Sequence, residues 1–533
     1  MSASRASKRS RRRFLAAAIG AGALAALAAC QSGPAPTPAG GAGAVATGDQ
    51  PRGGTLTVAL GADSTWLGDP HQSTASVDRH FHYSIFNSLV ELGENSAIRP
   101  GLAKSWERPD PQTYVFTLED GVKFHDGTPF DAEIAKWNFE RMLSPEPKLI
   151  RRSEISSIDQ MEVVDRLTLK LKLKRPDAAL LSTLTDRAGM MISPAAAKKF
   201  SLQDLLRNPV GTGPFRFVEW LEDDRIKLVR NPEYFRKGLP YLDEVVFKPI
   251  PDDTVRLANL RSGAVQLMEG VSPRDVGSLR DDASLRLLLS PSLAFDRLEL
   301  NGAKPPFNNP ILRQVVSAAI DRESLHRVAY LGQGTIAQGP ISPATAWAYE
   351  AIPGWGEKAN PELARKLLQD AGQPDGFEFE IDVDSTSKID LQRAELVEQQ
   401  LKQVGVRLKI FQYKGAVGAE RRSSGTYVSR VGGWSGRPDP HTTLFPHYTT
   451  GGANNWGKYS NKEVDDLLTR ANVESDQPKR KQLYTEASKI LASTVAEVFH
   501  EFGTLRTAHS TRLQSFVEIP DGRFRLEKVA LAK

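Results

Sequence analysis

The chain has almost no cysteine and no apolar run long enough to cross a membrane. A single thiol, Cys30, among 533 residues excludes a disulfide framework and any Cys-x-x-Cys metal or redox site. The longest uncharged apolar run, residues 14–29, would span about 24 Å as a helix, short of the roughly 30 Å hydrocarbon core of a bilayer. With 40% hydrophobic and 25% charged residues, the chain is neither a polytopic membrane protein nor largely disordered.

The body of the chain also lacks a basic excess. The whole sequence carries 69 Lys and Arg against 64 Asp and Glu. Residues 1–29 contain six of the positive charges and no acid, so the remainder has 63 basic against 64 acidic residues and a net charge of −1. Nucleic-acid-binding domains concentrate positive charge on the fold itself. We therefore expect no nucleic-acid partner.

The basic start of the chain is typical of an export signal. Ser10 to Leu15 resembles the twin-arginine signal, which directs export of folded proteins, with a general secretory signal as the alternative. Leu27 to Cys30 resembles a lipobox, in which Cys30 is acylated, with a lone buried cysteine as the alternative. We predict a signal peptide over residues 1–29, a flexible tether over residues 30–51, and lipid anchoring in the periplasm or on the outer face of the cell membrane.

Strands and helices are mixed over the rest of the chain, which predicts an α/β fold, and the length favours two to four domains. The alternating apolar residues of Gly53 to Leu60 predict a strand. Helices are predicted over Ser76 to Leu92, over Asp131 to Leu143 with an Asp cap, and over Ile311 to Ala329. Ser460 to Glu463 has the spacing of a capping box at the start of a further helix.

No catalytic pattern is present. Gly433 to Arg437 has Arg where a nucleophile elbow requires its second Gly, and His500-Glu501 lacks the second His of a zinc-protease motif. Gly332 to Ala337 has the spacing of a nucleotide-binding loop but follows a helix rather than a strand. The nine His are scattered. An exported α/β chain without a catalytic constellation indicates a binding protein that is not an enzyme and needs no cofactor.

Several long stretches resemble the family 5 extracellular solute-binding proteins, which are the peptide, nickel and opine receptors of ABC importers. The most recognisable stretch is Gly121 to Phe130, which reads GVKFHDGTPF. The other matching stretches, in the order of the family, are Arg99 to Glu107, Pro209 to Phe215, Arg230 to Phe235, Pro305 to Phe307, Arg313 to Glu323, Gly432 to Trp434, and Lys458 to Asn461.

The resemblance implies a type II periplasmic-binding-protein fold, in which two lobes joined by a hinge close on a ligand. Lobe I is expected over residues 52–285 and 501–533, with an extra subdomain at about 90–200, and lobe II over residues 286–500. The Gly121 to Phe130 stretch is then architecture rather than ligand site. The implied function is an extracytoplasmic receptor, expected to be a monomer, that delivers its ligand to the permease subunits of an ABC importer.

The Gly-Trp loop carries the clearest indication of the ligand. Many peptide-binding relatives have an Asp shortly after this Gly-Trp pair, and that Asp pairs with the peptide amine. Here Arg437 stands close to that place, and Asp439 matches a later acid of the loop. Because a guanidinium binds carboxylate through two parallel hydrogen bonds, we expect a peptide-like or carboxylate-bearing ligand. An internal Arg437–Asp439 pair is the alternative.

Other candidates come from loops expected at the rim of the crevice. The predicted ligand-binding residues are Trp434, Ser435, Arg437 and Asp439 of the Gly-Trp loop, Trp66, Ser73 and Thr74 of lobe I, and Ser385, Thr386 and Asn455 of lobe II. Two other functions remain open from the residues alone. One is a nickel or metal-chelate receptor of the same fold that uses His, and the other is an exported enzyme.

Overall fold

A large mixed sheet combines the strand Thr55–Leu60, near the start of the described chain, with strands from residues 215–510. The computed structural model describes residues 50–532 except 147–148, 353, 355 and 415. The strands are β1 (Thr55–Leu60), β2 (Val90–Leu92), β3 (Ile98–Pro100), β4 (Ala103–Asp110), β5 (Thr113–Leu118), β6 (Ile158–Asp165), β7 (Thr168–Leu173), β8 (Phe215–Leu221), β9 (Arg225–Arg230), β10 (Glu244–Pro249), β11 (Leu267–Met268), β12 (Leu285–Leu300), β13 (Thr335–Ile336), β14 (Glu378–Asp384), β15 (Arg407–Tyr413), β16 (Ser429–Trp434), β17 (Glu497–Ser510), β18 (Leu513–Gln514) and β19 (Ala530–Leu531).

Helices flank this sheet, and most begin at an Asp, Asn or Ser whose side chain accepts a hydrogen bond from the first turn. They are α1 (Asp78–Ile85), α2 (Ala132–Leu143), α3 (Leu180–Thr183), α4 (Pro194–Lys199), α5 (Leu202–Leu205), α6 (Asp253–Arg261), α7 (Val276–Arg280), α8 (Pro310–Ala319), α9 (Arg322–Val328), α10 (Pro361–Asp370), α11 (Lys388–Lys402), α12 (Ala416–Ser424), α13 (His441–Tyr448), α14 (Lys462–Val473) and α15 (Gln477–Ser493).

Two long strands occupy the middle of the sheet. The strand order is β15-β14-β16-β12-β17-β11-β1-β10-β9-β8, with β13 paired to β17. β12 and β17 run antiparallel over most of their length, and their register is interrupted between Pro291 and Phe295. β14 lies parallel to β15 and β16, whereas β1 lies parallel to β10 and β11. β12 and β17 therefore connect two groups of strands that otherwise come from different parts of the chain.

The apolar cores follow the same division. Two clusters are built from residues between Leu298 and Val498 and between Phe295 and Phe502. The other three are built only from residues before 286 and after 507. One of these three belongs to the four-stranded sheet β4-β5-β7-β6, against which α2 packs. Within the described residues, each core cluster belongs to one predicted lobe, except that Phe502, two residues beyond the predicted end of lobe II, joins a lobe II cluster. The lobe boundaries stay a prediction.

The last residues of the chain pack against the predicted lobe I. Tyr234 donates its hydroxyl to Glu527 Oε2 at 2.8 Å, and Arg236 contacts the same oxygen at 2.6 Å. Arg523 lies 2.8 Å from the ring of His80, which belongs to α1. Phe524, Leu526 and Val529 are buried in the same core as β1. The two ends of the described chain therefore share one packed unit.

The Gly121 to Phe130 stretch has an architectural part in this unit. Phe124 and Phe130 are buried in the subdomain core, and Gly121 and Gly127 have φ of 73° and 86°. His125 Nε2 lies 3.0 Å from the carbonyl oxygen of Gly213, and its backbone N–H donates to Gly211. Two of the stretches on which the resemblance depends are thus bonded to one another.

Three sequence predictions about helices are wrong in detail. The predicted Ser76 to Leu92 helix covers only α1, because Leu89 donates its N–H to Gly189 and Val90–Leu92 pairs with β3. The predicted Ile311 to Ala329 helix is two helices, since Asp321 caps the second through the N–H of Ser324 at 2.8 Å. The cap of α14 is Asn461 rather than Ser460, and it accepts from Glu463 and Val464.

The predicted export features fall largely outside the described residues. The signal peptide, Cys30 and the tether as far as residue 49 are not among them. Over the part of the chain that is described, no helix has the length and apolar character needed to cross a membrane.

Candidate functional site

The Gly-Trp loop leaves the end of β16 beside β12. Trp434 pairs with Phe295 of β12, donates Nε1–H to Thr443 Oγ1 at 3.2 Å, and meets the ring of His447 edge-on at 4.3 Å. The indole remains half-buried. Gly436 has a φ of 68°, and a Cβ there would lie 2.1 Å from the carbonyl oxygen of Leu293. This glycine lets the loop pack against the interrupted part of β12.

Arg437 is fixed at one edge of its guanidinium and unengaged at the other. Its Nη1 donates to the carbonyl of Gly436 at 2.6 Å and to Ser435 Oγ at 3.2 Å. Its Cζ lies 4.8 Å from the centroid of the Trp434 ring. No described residue accepts a hydrogen bond from its Nε or Nη2, and the side chain is half-buried. The guanidinium is therefore oriented and still has two donors available.

The predicted alternative, an internal Arg437–Asp439 pair, is not what the structure contains. Both carboxylate oxygens of Asp439 lie within 3.0 Å of Arg480 Nη2, on α15. Asp439 also accepts the N–H of His441 at the start of α13. Burial raises the pKa of Asp439, while Arg480 acts in the opposite direction. Asp439 therefore fastens the loop to lobe II.

Charged residues of the predicted lobe I influence the pKa of Arg437. Burial lowers the pKa of the Arg437 guanidinium, and Arg79 lowers it further, while Asp186 and Glu154 raise it. Asp186 accepts from Arg79 Nη1 at 3.2 Å. Burial alone would raise the pKa of Asp186, but Arg79 and Arg187 hold it well below its ordinary value. Positive and negative side chains of the predicted lobe I therefore act electrostatically on Arg437.

The predicted lobe I candidates differ in how exposed they are. Ser73 is fully buried and donates to Asp78 Oδ2 at 2.6 Å. Thr74, the next residue, is exposed. Trp66 is half-buried, its carbonyl accepts from His82 at 2.9 Å, and its buried Nε1 has no hydrogen-bond partner among the described residues. Thr74 and Trp66 are thus available to a ligand, whereas the Ser73 hydroxyl is already engaged.

The remaining candidates from the predicted lobe II also differ in how exposed they are. Asn455 is buried, donates to the carbonyls of Thr449 and Tyr459, and accepts the N–H of Tyr459, so its whole amide is used to hold the loop. Ser385 and Thr386 are exposed at the end of β14. Because β14 lies parallel to β16, they share the sheet edge that carries Trp434.

Hydrogen bonds outside the central strands also connect the predicted lobes. The N–H of Ala178 donates to the carbonyl of Asn472 at 2.9 Å, joining the subdomain to α14. Ser96 Oγ donates to the carbonyl of Ala344 at 3.4 Å, and Gln333 Nε2 to the carbonyl of Pro273 at 3.0 Å. Residues assigned to the two lobes therefore touch in places other than β12 and β17.

The histidines do not assemble into a metal site. Over the described residues, no group of three or more His, Cys, Asp or Glu is placed to hold a metal ion. Burial lowers the pKa of His71, His82 and His125 to about 4, so these rings are neutral. His71 Nε2 contacts the carbonyl of Met190, and His447 Nδ1 contacts that of Thr443. These imidazole rings therefore pack in the interior and form hydrogen bonds with the protein.

Sequence reasoning missed most of the charged residues of this crevice. Arg79, Arg151, Asp186, Arg187 and Arg523 lie in no recognisable motif, and they come from four distant parts of the chain. The only signal available in advance is the position of Arg79 on the predicted helix that follows Ser73 and Thr74.

Comparisons with known proteins agree with this architecture. The profile of the bacterial extracellular solute-binding proteins, family 5 Middle, matches residues 97–456. The glutathione-binding protein GsiB of Salmonella paratyphi A is 32% identical over 490 residues, covering 89% of this chain and 94% of that protein. GsiB of Pectobacterium atrosepticum is 31% identical over 487 residues, with the same coverage.

Solved structures show the same fold. The periplasmic binding protein DppA of Helicobacter pylori, in complex with the peptide STSA, superposes with a TM-score of 0.81 at 28% identity, covering 91% of this chain and 99% of that one. AgaA of A. tumefacien R10, in complex with agropinic acid, gives 0.78 at 26% identity, covering 90% and 99%. The fold is two-lobed, and the relatives are solute-binding proteins rather than enzymes. The chain belongs to the bacterial extracellular solute-binding proteins of family 5, the extracytoplasmic receptors that work with ABC permeases.

Proposed function

We propose that this receptor captures a peptide-like ligand through a carboxylate and presents it to its permease. The observation that carries the proposal is the guanidinium of Arg437, which is oriented by Gly436 and Trp434 and keeps two donors unengaged. Relatives named as binding glutathione, a peptide and agropinic acid support the same choice, because these ligands are small and carry carboxylate groups.

Closure of the crevice strengthens this interaction. A hydrogen bond between a guanidinium and a carboxylate is charge-assisted, and exclusion of water lowers the effective dielectric around it. The ligand also supplies an opposite charge for the half-buried Arg437, because Asp439 of the same loop already pairs with Arg480. The ligand thereby links the Gly-Trp loop of lobe II to lobe I, with the hinge in the interrupted part of β12 and the adjoining residues of β17.

The binding surface we propose is smaller than the set of candidates from the sequence. It keeps Trp434, Ser435 and Arg437, with Trp66 and Thr74 opposite and Ser385 and Thr386 at the rim. Asp439, Ser73 and Asn455 are left out of direct contact, because their polar atoms already bond within the protein. The receptor releases its ligand chemically unchanged and acts as a monomer.

A ligand panel tests the proposal. Reduced glutathione, the peptide Ser-Thr-Ser-Ala, agropinic acid and Ni²⁺ with L-histidine would be compared by thermal shift and then by titration calorimetry. A ligand that binds only the folded state raises the melting temperature. We expect a peptide or opine to bind, and Arg437→Gln to weaken it about 10- to 100-fold, as expected for loss of one charge-assisted hydrogen-bonded pair.

Arg470→Gln is the matched control, since Arg470 is an exposed arginine of lobe II paired with Asp466. It should leave affinity unchanged. A response to the nickel complex alone would favour the metal-chelate receptor, and undiminished affinity in Arg437→Gln would remove the proposed anchor.

We also propose that acylated Cys30 tethers the receptor to membrane lipid. In a native host, Cys30→Ala should move the protein from the membrane fraction to the soluble fraction, because the thiol is the acyl acceptor in the proposed lipobox. Immunoblotting of the separated fractions measures the change, and Ser32→Ala serves as control. Full membrane retention of Cys30→Ala would contradict the anchor.

A further inference from the structure

Four arginines from different parts of the chain converge on the short loop Ser73 to Ser76. Arg187 Nη1 donates to the carbonyls of Ser73 and Ala75 at 3.0 and 3.1 Å, and to Ser73 Oγ at 3.1 Å. Arg151 Nη2 also donates to the carbonyl of Ser73. Ser76 Oγ receives Arg79 Nη2 at 3.3 Å and Arg523 Nη2 at 2.6 Å. We call this set, Arg79, Arg151, Arg187 and Arg523, the arginine ring.

Each member of the ring has an Nε–H that donates no hydrogen bond within the described residues, although Arg187 Nε lies 3.7 Å from Asp186 Oδ1. The Nε atoms of all four are buried and have no hydrogen-bond partner among the described residues. Arg79 and Arg187 are only 3% and 2% exposed. Trp66 Nε1, also buried and unpartnered, lies in the segment beside α1, since its carbonyl accepts from His82. Buried donors without acceptors are rare, so this part of lobe I needs acceptor atoms from elsewhere.

The charges around the ring do not balance. Its four guanidiniums and Arg437, whose pKa Arg79 and Arg151 lower, make five positive charges. Four carboxylates contact the ring or its loop in addition to Asp521. Glu154 pairs with Arg151, Asp186 with Arg79 and Arg187, Glu269 lies 3.5 Å from Arg523, and Asp78 accepts from Ser73. Asp521 accepts the backbone N–H of Arg523, and its charge is balanced by Arg525. The positive charges therefore outnumber the negative charges by one.

An uncompensated charge becomes expensive when the crevice closes and excludes water. A simple peptide, with one amine and one carboxylate, has no net charge and would leave the excess positive charge uncompensated in the closed crevice. A ligand with one amine and two carboxylates carries one net negative charge and neutralises it. It also supplies acceptors on both sides of the crevice, one carboxylate for Arg437 and one for the ring.

We propose that the arginine ring is a second carboxylate subsite, so that the receptor selects peptide-like ligands with two carboxylates and one amine. The inference rests on the proposed function, in which Arg437 binds the first carboxylate. γ-Glutamyl peptides and short peptides with one acidic side chain belong to this class.

The experiment compares ligands that differ by one carboxylate. Titration calorimetry of the whole mature protein would use reduced glutathione, its glycine monoethyl ester and Ala-Ala-Ala. We expect glutathione to bind at least tenfold more tightly than either of the others. Arg151→Gln should lower the affinity for glutathione about tenfold or more and the affinity for the ester less than threefold. The control is Arg152→Gln, which changes the exposed neighbouring arginine of the same turn.

The outcomes separate this inference from the proposed function. Tight binding of Ala-Ala-Ala, with no preference for glutathione, would overturn the subsite while leaving a carboxylate-binding peptide receptor. Equal behaviour of Arg151→Gln and Arg152→Gln would show that the ring only braces the loop. Failure of every probe, including those of the panel above, would overturn both proposals. If Arg151→Gln does not fold, Arg523→Gln replaces it as the variant. The preference of the wild-type protein for glutathione over the ester, and its loss in Arg523→Gln, then decide whether the ring binds a second carboxylate.

Discussion

The two walls that we propose for the crevice are built in opposite ways. The lobe II wall comes from one continuous loop, Trp434 to Arg437, at the end of a single strand. The lobe I wall comes from four arginines that meet around Ser73 to Ser76 from as far away as Arg523. The first is visible in the sequence because neighbouring residues form it. The second exists only once the chain has folded.

The walls also differ in what their arginines do before a ligand arrives. Arg437 bonds only to its own loop, so its removal leaves little else disturbed. Arg187 donates hydrogen bonds to three oxygens of the Ser73 to Ser76 loop, so it stabilises that loop as well as contributing a positive charge. Ligand recognition on the lobe II side should therefore be separable from stability, whereas on the lobe I side the two should be coupled.

The largest expected effect on stability comes from breaking the ion pair between Arg480 and Asp439, which lies outside the proposed ligand surface. Arg480→Met leaves the buried carboxylate of Asp439 without its partner and should lower the free energy of unfolding by about 3–5 kcal/mol. Urea unfolding measures the change. Lys481→Met, which removes the exposed pair with Glu350, should change it by less than about 1 kcal/mol. A large loss of ligand affinity with unchanged stability would place Asp439 back among the ligand contacts.

A pair of matched substitutions tests the coupling itself. Arg187→Gln should lower the free energy of unfolding by about 1–3 kcal/mol, because it leaves buried acceptors of the 73–75 loop unpaired. Arg437→Gln should leave it unchanged or slightly raised, because it removes a half-buried cation without an opposite charge in its own loop. Equal destabilisation by both variants would erase the distinction between the walls. Urea unfolding monitored by tryptophan fluorescence provides the comparison.

The smallest expected effect is a change in pH dependence. Burial lowers the pKa of His125 from 6.5 to about 4 in the folded protein, so folding favours its neutral form. Its contribution is complete above pH 6.5 and is lost as the pH falls toward 4. His125→Gln keeps an N–H donor for Gly213 without a titrating ring, so the slope of stability against pH in this window should decrease by up to about 1.4 kcal/mol per unit. An unchanged slope between pH 4 and 6.5, measured by denaturant unfolding, would show that another group takes up the proton.

What the sequence predicted well are features set by neighbouring residues. The Asp131 cap and the strand at Thr55–Leu60 are present because local patterns determine them. The predicted helix from Ser76 fails after Ile85, because a tertiary partner, Gly189, takes the N–H of Leu89. The same reason explains the site. Gly436 and Arg437 form a local unit, but the partner of Asp439 is 41 residues away and Arg523 lies 447 residues from Ser76.

The contact of the final segment with α1 has a kinetic consequence. Arg523 and His80 are 443 residues apart in the chain, and Glu527 and Tyr234 are 293 apart. Contacts of such sequence separation close very large loops and slow folding. The core of lobe I can be completed only after residue 527 has left the ribosome, whereas lobe II already has all of its own residues by then. The lobe that begins first along the chain is therefore the last to be finished.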